Sequence, residues 1–274
     1  MIIWLASYPK SGNTWLRYFI LSLINKKEVN LNEMGNIPVF PHTRFFKKLI
    51  NKKDISEIAS KWIEAQKFLN RDNKIKFLKT HNMFMTYKNY SFTDRENTLG
   101  GIYVVRDPRN VVCSIKNFYD FESFDKASEL LLSEKSVISP QGERGGLDAI
   151  ISSWQNHYNS WKNMSKNYLL VKYESLLTNP FEEFSKVSNY ISYHLKMNFS
   201  EKEIKEAIKK SSFENLQKLE KKFGFSEASL NKKKEKITFF QSGPGQNWRK
   251  KLNKNLIIRI EEKFKIEMKE LGYL

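Results

Sequence analysis

Cysteine is almost absent from this chain of 274 residues, since Cys113 is the single one. One cysteine excludes an internal disulfide framework, and such sparse use fits a reducing compartment. Cys113 lies in the apolar run "VVCSI", where a thiol usually packs in the core. We therefore expect Cys113 to be buried and to take no part in chemistry.

Long apolar runs are missing as well. All of them are far shorter than the ~20 residues that cross a bilayer, so we expect no membrane anchor. The first 24 residues have no basic n-region, and the polar "SYPKSGN" divides their apolar part, unlike a secretory signal. These absences predict a soluble, cytoplasmic protein.

Metal-binding patterns are also lacking. The four histidines, His42, His81, His157 and His194, are far apart, and no His/Cys spacing typical of a zinc site is present. The chain also lacks the G-x-x-x-x-G-K-[S/T] sequence of an ATP or GTP phosphate loop. We expect no bound metal and no ordinary nucleoside triphosphate site.

Positive charge, by contrast, is in excess: 47 lysines and arginines against 30 acidic residues give a net charge of +17. Such an excess favours a polyanionic partner, whether nucleic acid, an anionic membrane surface or a phosphorylated small molecule. The lysines are scattered through segments such as "KKLINKKD", "NKKKEK" and "WRKKLNK", as on an ordinary solvated surface. Charge alone does not choose the partner.

Short apolar runs alternate with helical patterns along the chain, which is typical of an α/β protein. Nearly continuous apolar runs predict buried parallel strands at 2–6, 75–80, 101–107 and 168–174. Helical patterns cover 13–25, 54–69, 108–119, 147–163, 180–193, 201–210 and 254–271. The stretch 133–146 contains proline and glycines and is expected to be a long loop. We predict one α/β domain over 1–274, with a central parallel sheet flanked by helices.

The stretch "ASYPKSGNTWLRYF", residues 6–19, joins the first strand to the first helix through a Ser-Gly turn. A strand that turns directly into a helix leaves backbone N–H groups and the positive end of the helix dipole facing outward, and together they bind anions. Ser11, Asn13 and Thr14 add side-chain donors, and Lys10 adds a full positive charge. Asn13 and Thr14 also give the helix a capping start. We therefore predict a P-loop-like anion site here.

Two further strands deliver polar side chains to the same edge of the predicted sheet, where ligands of open α/β sheets bind. In "GIYVVRDPRNVVCSI", Arg106 is placed to hold a second phosphate, and Ser114 follows two turns into the next helix. Asp107 either binds magnesium or forms an ordinary cap and salt bridge. In "FLKTHNMF", His81 follows a strand, which is a suitable position for a general base.

A fourth segment, "FFQSGPGQNWRKKL", combines Gly243 and Gly245 with Arg249, Lys250 and Lys251. Glycines let a loop approach phosphate oxygens closely, so this segment is either a second phosphate-binding loop or a plain surface loop. It is no dinucleotide-binding fingerprint, because the third glycine and the strand–helix context are missing.

Together these motifs resemble the PAPS-dependent sulfotransferase family, whose donor is 3′-phosphoadenosine 5′-phosphosulfate. "YPKSGNTW" is similar to the family's 5′-phosphosulfate loop, with Asn13 where threonine is usual. "YVVRDPRNVVCSI" resembles its 3′-phosphate segment, and "KTH" the segment with the catalytic histidine. "SSWQNHYNSW", "VKYESLLTNP" and "SSFENL" have counterparts in the same order, so the likeness runs nearly end to end.

The resemblance implies a role for each matched residue. His81 takes the proton of the acceptor, Lys10 stabilises the leaving oxygen, and Lys79 neutralises the sulfuryl group during transfer, with no metal required. It also implies three groups of PAPS-binding residues: Lys10, Ser11, Gly12, Asn13, Thr14 and Trp15 in the loop; Arg106 and Ser114 at the 3′-phosphate; and Trp15, Tyr173, Ser211 and Phe213 around adenine.

The C-terminal loop departs from the family. Its usual Arg-Lys-Gly, which grips the 3′-phosphate, corresponds here to Gln241-Ser242-Gly243. Either Arg249 or Lys250 compensates, or the loop binds through backbone N–H groups and Ser242. The dimerisation motif of many eukaryotic members is not recognisable either, so no oligomeric state is carried over.

Two functions of other classes compete with this interpretation. A P-loop kinase would hold ATP on Lys10 and magnesium on Asp107. A nucleic-acid-binding module would use the positive charge and the many aromatic residues, but these lie in periodic apolar runs typical of a core, so we expect no nucleic-acid partner.

The acceptor is expected to be a small molecule, with its pocket formed by the less patterned stretches 35–50, 82–90 and 118–147. "NIPVFPHTRFF" and "YDFESF" contain enough aromatic residues to cover a ring or an apolar body. The stretch 133–147 is a candidate cover for that pocket. The sequence does not choose between phenol, sugar, lipid, antibiotic and alkaloid, nor between O- and N-sulfation.

Overall fold

The computed structural model describes residues 1–46, 51–139, 145–164, 167–230, 233, 235–240 and 247–274. Its strands are β1 (Ile2–Ser7), β2 (Lys76–Thr80), β3 (Thr86–Tyr87), β4 (Tyr90–Ser91), β5 (Thr98–Val105), β6 (Val137–Ile138), β7 (Ala149–Ile150) and β8 (Tyr168–Lys172). Four of them form a parallel sheet in the order β2-β1-β5-β8, while β3 pairs with β4 and β6 with β7 in short antiparallel ladders. The predicted α/β architecture with a central parallel sheet is confirmed.

Helices cover both faces of this sheet. They are α1 (Asn13–Asn25), α2 (Ile55–Ser60), α3 (Trp62–Leu69), α4 (Pro108–Phe118), α5 (Phe124–Leu132), α6 (Trp154–Lys162), α7 (Tyr173–Thr178), α8 (Pro180–Leu195), α9 (Glu201–Lys210), α10 (Phe213–Phe223), α11 (Lys254–Lys263) and α12 (Lys265–Glu270). Short 3₁₀ helices span Leu31–Asn36, Thr43–Phe45, Asn70–Asp72 and Trp248–Lys250.

The two inner strands, β1 and β5, are largely apolar because both faces of the sheet are buried there. Side chains of β1 point alternately to the two faces, as strand geometry requires. Trp4 and Ala6 join a core with helices α4 and α6, whereas Leu5 joins a second core with α1 and α8. Cys113 is buried as predicted, and burial raises the pKa of its thiol to about 11.

The predicted helix at 147–163 is wrong over its first half. Residues 149–150 form β7, and the chain becomes helical only at Trp154, where Ser153 accepts a hydrogen bond from the backbone N–H of Asn156. The sequence patterns also miss α5, α7 and α10, although Ser123 and Ser212 cap the first and last of these. The first two, α5 and α7, have nine and six residues, so their apolar stripes are brief. Length does not explain the third, because α10 has 11 residues, as many as the predicted α4.

All four central strands run in the same direction, so their carboxyl ends form one edge of the sheet. Ala6 is paired with Thr80 and with Tyr103 in the ladder, and Val105 is paired with Lys172. The loops that follow β1, β2, β5 and β8 therefore leave this edge together. No helix in the described parts of the chain is long and apolar enough to span a membrane.

Candidate active site

A cleft opens at the carboxyl edge of the sheet and brings together most of the residues that the sequence singles out. Those that line it are Lys10, Gly12, Asn13, Thr14, Trp15, Lys79, His81, Arg106, Ser114, Tyr173, Ser211 and Phe213. Ser11 belongs to the same loop and is fully buried. Arg249 does not line the cleft, and Ser242 and Gly243 lie outside the described residues.

The loop between β1 and α1 leaves the start of the helix open. Gly12, at φ 111°, is the N-cap residue of α1, and no side chain caps the first turn. The N–H groups of Asn13, Thr14 and Trp15 have no intrahelical acceptor, because they come before the first helical hydrogen bond. The Ser11 hydroxyl is buried without a hydrogen-bond partner. These donors fit an anion at the helix N-terminus.

Asn13 does not play the part that the sequence suggests. Its side-chain amide donates to the carbonyl oxygen of Leu5 at 2.8 Å, within the core, and its Oδ1 is buried without a partner. The side chain therefore ties α1 back to β1 and neither caps the helix nor points a donor into the cleft. The backbone N–H of Asn13 remains at the open end of the helix.

Beside this loop, the Tyr173 ring contacts both Gly12 and the Arg106 guanidinium. A Cβ atom at Gly12 would lie 2.6 Å from Cδ2 of Tyr173, so no larger residue fits without displacing the ring. The Arg106 guanidinium lies 4.1 Å from the centre of the same ring and donates to the carbonyl oxygen of Lys10 at 3.1 Å. Trp15 meets Tyr173 edge-on, with 5.7 Å between ring centres. The loop conformation is thus fixed by an aromatic and a cationic side chain.

Asp107 is committed to another task. Its carboxylate accepts from the backbone N–H of Arg109, which caps α4, and forms a buried salt bridge with the Arg109 guanidinium at 2.7 Å. It does not line the cleft, and the described residues contain no group of carboxylates, histidines or cysteines that could hold a metal. Of the two roles that the sequence left open for Asp107, the structure shows the cap and the salt bridge, in which both carboxylate oxygens accept from Arg109.

His81 is held in one tautomer. Its Nδ1 lies 2.8 Å from the carbonyl oxygen of Ser7, which can only accept, so Nδ1 carries the proton and Nε2 is the basic nitrogen. Burial and the nearby charge of Lys79 hold the pKa of His81 well below its ordinary value, so the imidazole is neutral at pH 7. A neutral histidine with an unprotonated Nε2 is suited to accept a proton.

The side chain of His157 holds the backbone of His81 through a hydrogen bond. Its Nε2 donates to the carbonyl oxygen of His81 at 3.0 Å, and its Nδ1 accepts from the Tyr103 hydroxyl at 2.9 Å. Burial lowers the pKa of His157 to about 4. This fully buried histidine holds the strand end that presents His81, a role that its place in the sequence did not indicate.

The ammonium group of Lys10 lies between two aromatic rings. Its Nζ is 3.6 Å from the ring centre of Phe118 and 3.8 Å from that of Phe239. Burial, and then the charges of Lys79 and Arg106, hold the pKa of Lys10 well below its usual range. The aromatic faces stabilise a cation that has lost much of its water.

Sequence reasoning missed an ion-pair network at the bottom of the cleft. Glu227 accepts from both terminal nitrogens of Arg17, at 2.8 and 2.6 Å, and from Lys79 at 3.1 Å. Although burial acts to raise it, the charges of Arg17 and Lys79 hold the pKa of Glu227 well below its usual range. Arg17 alone gave a signal, because an arginine inside the apolar run "TWLRYF" needs a buried anion. Nothing in the sequence pointed to Glu227.

The rest of the cleft is an apolar wall, made of Val39, Phe40, Pro41, Phe118, Tyr119, Ile138, Leu147, Ala149, Phe239 and Phe240. Residues 38–40 run beside β2, with the N–H of Lys79 donating to Pro38 and the N–H of Phe40 donating to Lys79. The expected stretches 35–50 and 118–147 contribute to this wall. Residues 82–90 contribute nothing to it.

Known proteins resemble this chain over nearly its whole length. Residues 2–272 match the sulfotransferase domain. The chain belongs to the sulfotransferase family. Luciferin sulfotransferase of Photinus pyralis is 23% identical to it over 276 residues, which cover 94% of this chain and 69% of that protein. Cytosolic sulfotransferase 12 of Arabidopsis thaliana is 25% identical over 273 residues, which cover 95% and 76%.

Solved structures share the fold of this sulfotransferase. A mouse sulfotransferase complexed with PAP (adenosine 3′,5′-bisphosphate) aligns with a TM-score of 0.59 at 19% identity, covering 97% of this chain and 84% of the other. Retinol dehydratase in a complex with retinol and PAP aligns with a TM-score of 0.63 at 16% identity, covering 98% and 81%. At these identities the likeness shows the fold, and the family match confirms the resemblance seen in the motifs.

Proposed function

We propose that this sulfotransferase moves a sulfuryl group from PAPS to a hydroxyl or amine of a small, largely apolar acceptor, with His81 as general base. The 2.8 Å contact between Nδ1 of His81 and the carbonyl oxygen of Ser7 is the observation that carries the proposal. The Ser7 carbonyl fixes the proton on Nδ1, and His81 lines the same cleft as the open N-terminus of α1. A base and an anion site therefore share one cleft, as transfer of an anionic group requires.

The residues present fit PAPS. We assign its 5′-phosphosulfate to the open N–H groups of α1 and the unpartnered Ser11 hydroxyl, because both lack an acceptor or donor within the protein. Arg106 and Ser114 are assigned to the 3′-phosphate, and Trp15, Tyr173, Ser211 and Phe213 to adenine. The relatives of known structure that bind PAP support this assignment.

Three side chains carry the chemistry. His81 removes the proton from the acceptor at Nε2 as the acceptor atom forms its bond to sulfur. Lys10 stabilises the negative charge that develops on the bridging oxygen as the sulfur–oxygen bond breaks. Lys79 offsets the charge of the sulfuryl oxygens during transfer. Positioning and electrostatic stabilisation supply the catalysis in this scheme.

The loop that departs from the family pattern, Gln241-Ser242-Gly243, is the one expected to contact the 3′-phosphate. Ser242, Gly243 and Arg249 stay predictions for this contact. Arg249 is exposed and packs on the Trp248 ring at 4.3 Å, and Arg109 packs on the same ring at 4.0 Å. Arg106, by contrast, lines the cleft, so we assign the larger share of 3′-phosphate binding to it.

The acceptor lies against the apolar wall, so a flat or aromatic body with one hydroxyl suits it better than a sugar. We further propose that the protein works in the cytoplasm, as the names of its cytosolic plant relatives suggest.

Calorimetric titration with PAP, AMP, ADP and ATP–magnesium tests the donor. A charged phosphate contact is worth ~1.5–3 kcal/mol, so PAP should bind at least about tenfold more tightly than AMP. Arg106→Gln should reduce this PAP/AMP ratio, whereas Arg259→Gln, at an exposed position on α11, is the matched control and should leave it unchanged. Equal affinity for PAP and AMP, or tight binding of ATP–magnesium alone, would overturn the assignment of the donor.

A further inference from the structure

Glu227 is an unexpected residue in a cleft for an anionic donor. Among the described residues that line the cleft, it is the only carboxylate. A negative charge here opposes the binding of phosphate and sulfate, so it carries an electrostatic cost. The positive charges of Arg17 and Lys79, which both donate to Glu227, offset this cost.

Arg17 holds the Glu227 carboxylate in place. The arginine lies on α1 with 1% of its side chain exposed, and both of its terminal nitrogens donate to Glu227. Such a bidentate pair fixes the plane of the carboxylate as well as its position. Glu227 is therefore anchored independently of Lys79.

Lys79 shares one oxygen of this anchored carboxylate. Its Nζ lies 3.1 Å from Oε2, the atom that also accepts from Arg17 at 2.6 Å. The Lys79 backbone is fixed between β1 and residues 38–40, but its side chain has four rotatable bonds. The Lys79 ammonium also lies among positive neighbours, since the charges of Lys79 and Arg106 both act on Lys10. Glu227 accepts a hydrogen bond from the Lys79 ammonium and so helps to hold it at a defined point.

We propose that Glu227 is a positioning residue for sulfuryl transfer, which acts through Lys79 by holding its ammonium at the place where the sulfuryl group passes. The inference rests on the proposed role of Lys79. A purely structural Glu227 would only neutralise the buried Arg17. The two roles differ in whether the catalytic effect of Glu227 requires Lys79.

A double-mutant cycle separates the two roles. The variants are Glu227→Gln, Lys79→Met and both together, with Glu201→Gln as a matched control from an exposed lysine–glutamate pair on α9. Release of PAP from PAPS is measured with 2-naphthol as acceptor and with water alone. PAP affinity is measured by calorimetry, and stability by thermal unfolding.

We expect Glu227→Gln to lower kcat by up to about 100-fold, because a misplaced charge loses most of its effect on the transition state. PAP should bind at least as tightly as before, since PAP has no sulfuryl group and a repelling charge is gone. In the Lys79→Met background, Glu227→Gln should change kcat by less than about twofold. Glu201→Gln should leave kcat and PAP affinity unchanged.

Equal losses of kcat in both backgrounds would overturn the inference and leave Glu227 a structural partner of Arg17. An unchanged kcat in Lys79→Met alone would instead contradict the proposed role of Lys79. If Glu227→Gln does not fold, because Arg17 is left buried without its partner, Arg17→Met with Glu227→Gln removes both charges. That variant should show the same loss of kcat, and again only when Lys79 is present.

Discussion

The cleft has two halves that are built in different ways. The polar half consists mainly of consecutive residues, Lys10 to Trp15, on one strand–loop–helix unit, completed by Arg106 and Tyr173. The apolar half is assembled from parts of the chain that are far apart in sequence, including residues 39–41, residues 118–119, and Ile138, Leu147 and Ala149. The polar half is therefore set by local backbone geometry, whereas the apolar half exists only once the chain is folded.

Because of this difference, the two halves should respond differently to amino-acid substitution. Backbone N–H groups at a helix N-terminus bind an anion whatever the neighbouring side chains are. The apolar wall has no such backbone constraint, because each side chain contributes only contact area. We infer that a substitution that moves the loop backbone, as at Gly12, changes donor binding sharply, whereas a substitution in the apolar half changes acceptor choice gradually.

His81 stands where the halves meet, and its replacement should have the largest effect. Asparagine at this position can still donate to the Ser7 carbonyl but offers no basic nitrogen. We expect His81→Asn to lower kcat about 10²- to 10⁴-fold, the usual share of a general base. PAP affinity, measured by calorimetry, should stay the same. An unchanged kcat would show that His81 is not the general base, and a loss of PAP binding would show that His81 belongs to the polar half.

The second prediction concerns the buried His157 and the pH dependence of the free energy of unfolding. Its pKa is about 4 in the folded protein and near 6.5 when unfolded, so on acidification the unfolded chain takes up the proton first. The contribution of His157 to the free energy of unfolding is complete above pH 6.5 and falls as the pH drops toward 4. Between pH 7 and 5 this group should cost about 2 kcal/mol of unfolding free energy.

Urea unfolding at the two pH values measures the total loss of stability, and His157→Gln should remove the His157 share of about 2 kcal/mol, while the share of His81, whose pKa burial also lowers, remains. His194→Gln, on the outer helix α8, is the matched control and should leave most of the slope in place. A His157→Gln variant with the same pH dependence as the unmodified protein would mean that other groups account for the slope.

The two halves also differ in how much the sequence predicts. The strand ends that present His81 and Arg106 follow from apolar runs, and the open start of α1 follows from a strand, a Ser-Gly turn and a helix in succession. These features are local, so neighbouring residues suffice to predict them. The direction of the Asn13 side chain was not predictable, because it depends on the Leu5 carbonyl inside the core.

Glu227 and the β6–β7 hairpin mark the limit of sequence reasoning. Glu227 meets Arg17 across 210 positions, and its loop carries no periodic pattern. Each strand of the hairpin has only two residues, too few for alternation to show. Long-range pairings of single side chains depend on the complete fold, so neighbouring residues do not predict them.

Gly12 tests the rigidity of the polar half. Alanine here must adopt φ 111° and bring its Cβ to 2.6 Å from the Tyr173 ring. We expect Gly12→Ala to weaken PAP binding about tenfold, within the ~1–3 kcal/mol typical of backbone strain. Gly224→Ala has positive φ without a close contact, and Gly35→Ala has neither. Both controls should bind PAP normally, and a similar loss in Gly224→Ala would assign the effect to general strain instead of the contact with Tyr173.

Leu147 should give the smallest effect, on the acceptor alone. It is 3% exposed and lines the apolar half, so Leu147→Ala removes contact area without touching the polar half. One to two methylene contacts at ~0.8 kcal/mol each predict a loss of kcat/KM of about fivefold for 2-naphthol. The loss for 4-nitrophenol should be smaller, because its single ring covers less of the wall. Leu274→Ala, at an exposed position, is the control. If Leu147→Ala weakened PAP binding as much as acceptor turnover, the polar and apolar halves would be one coupled site instead of two separate ones.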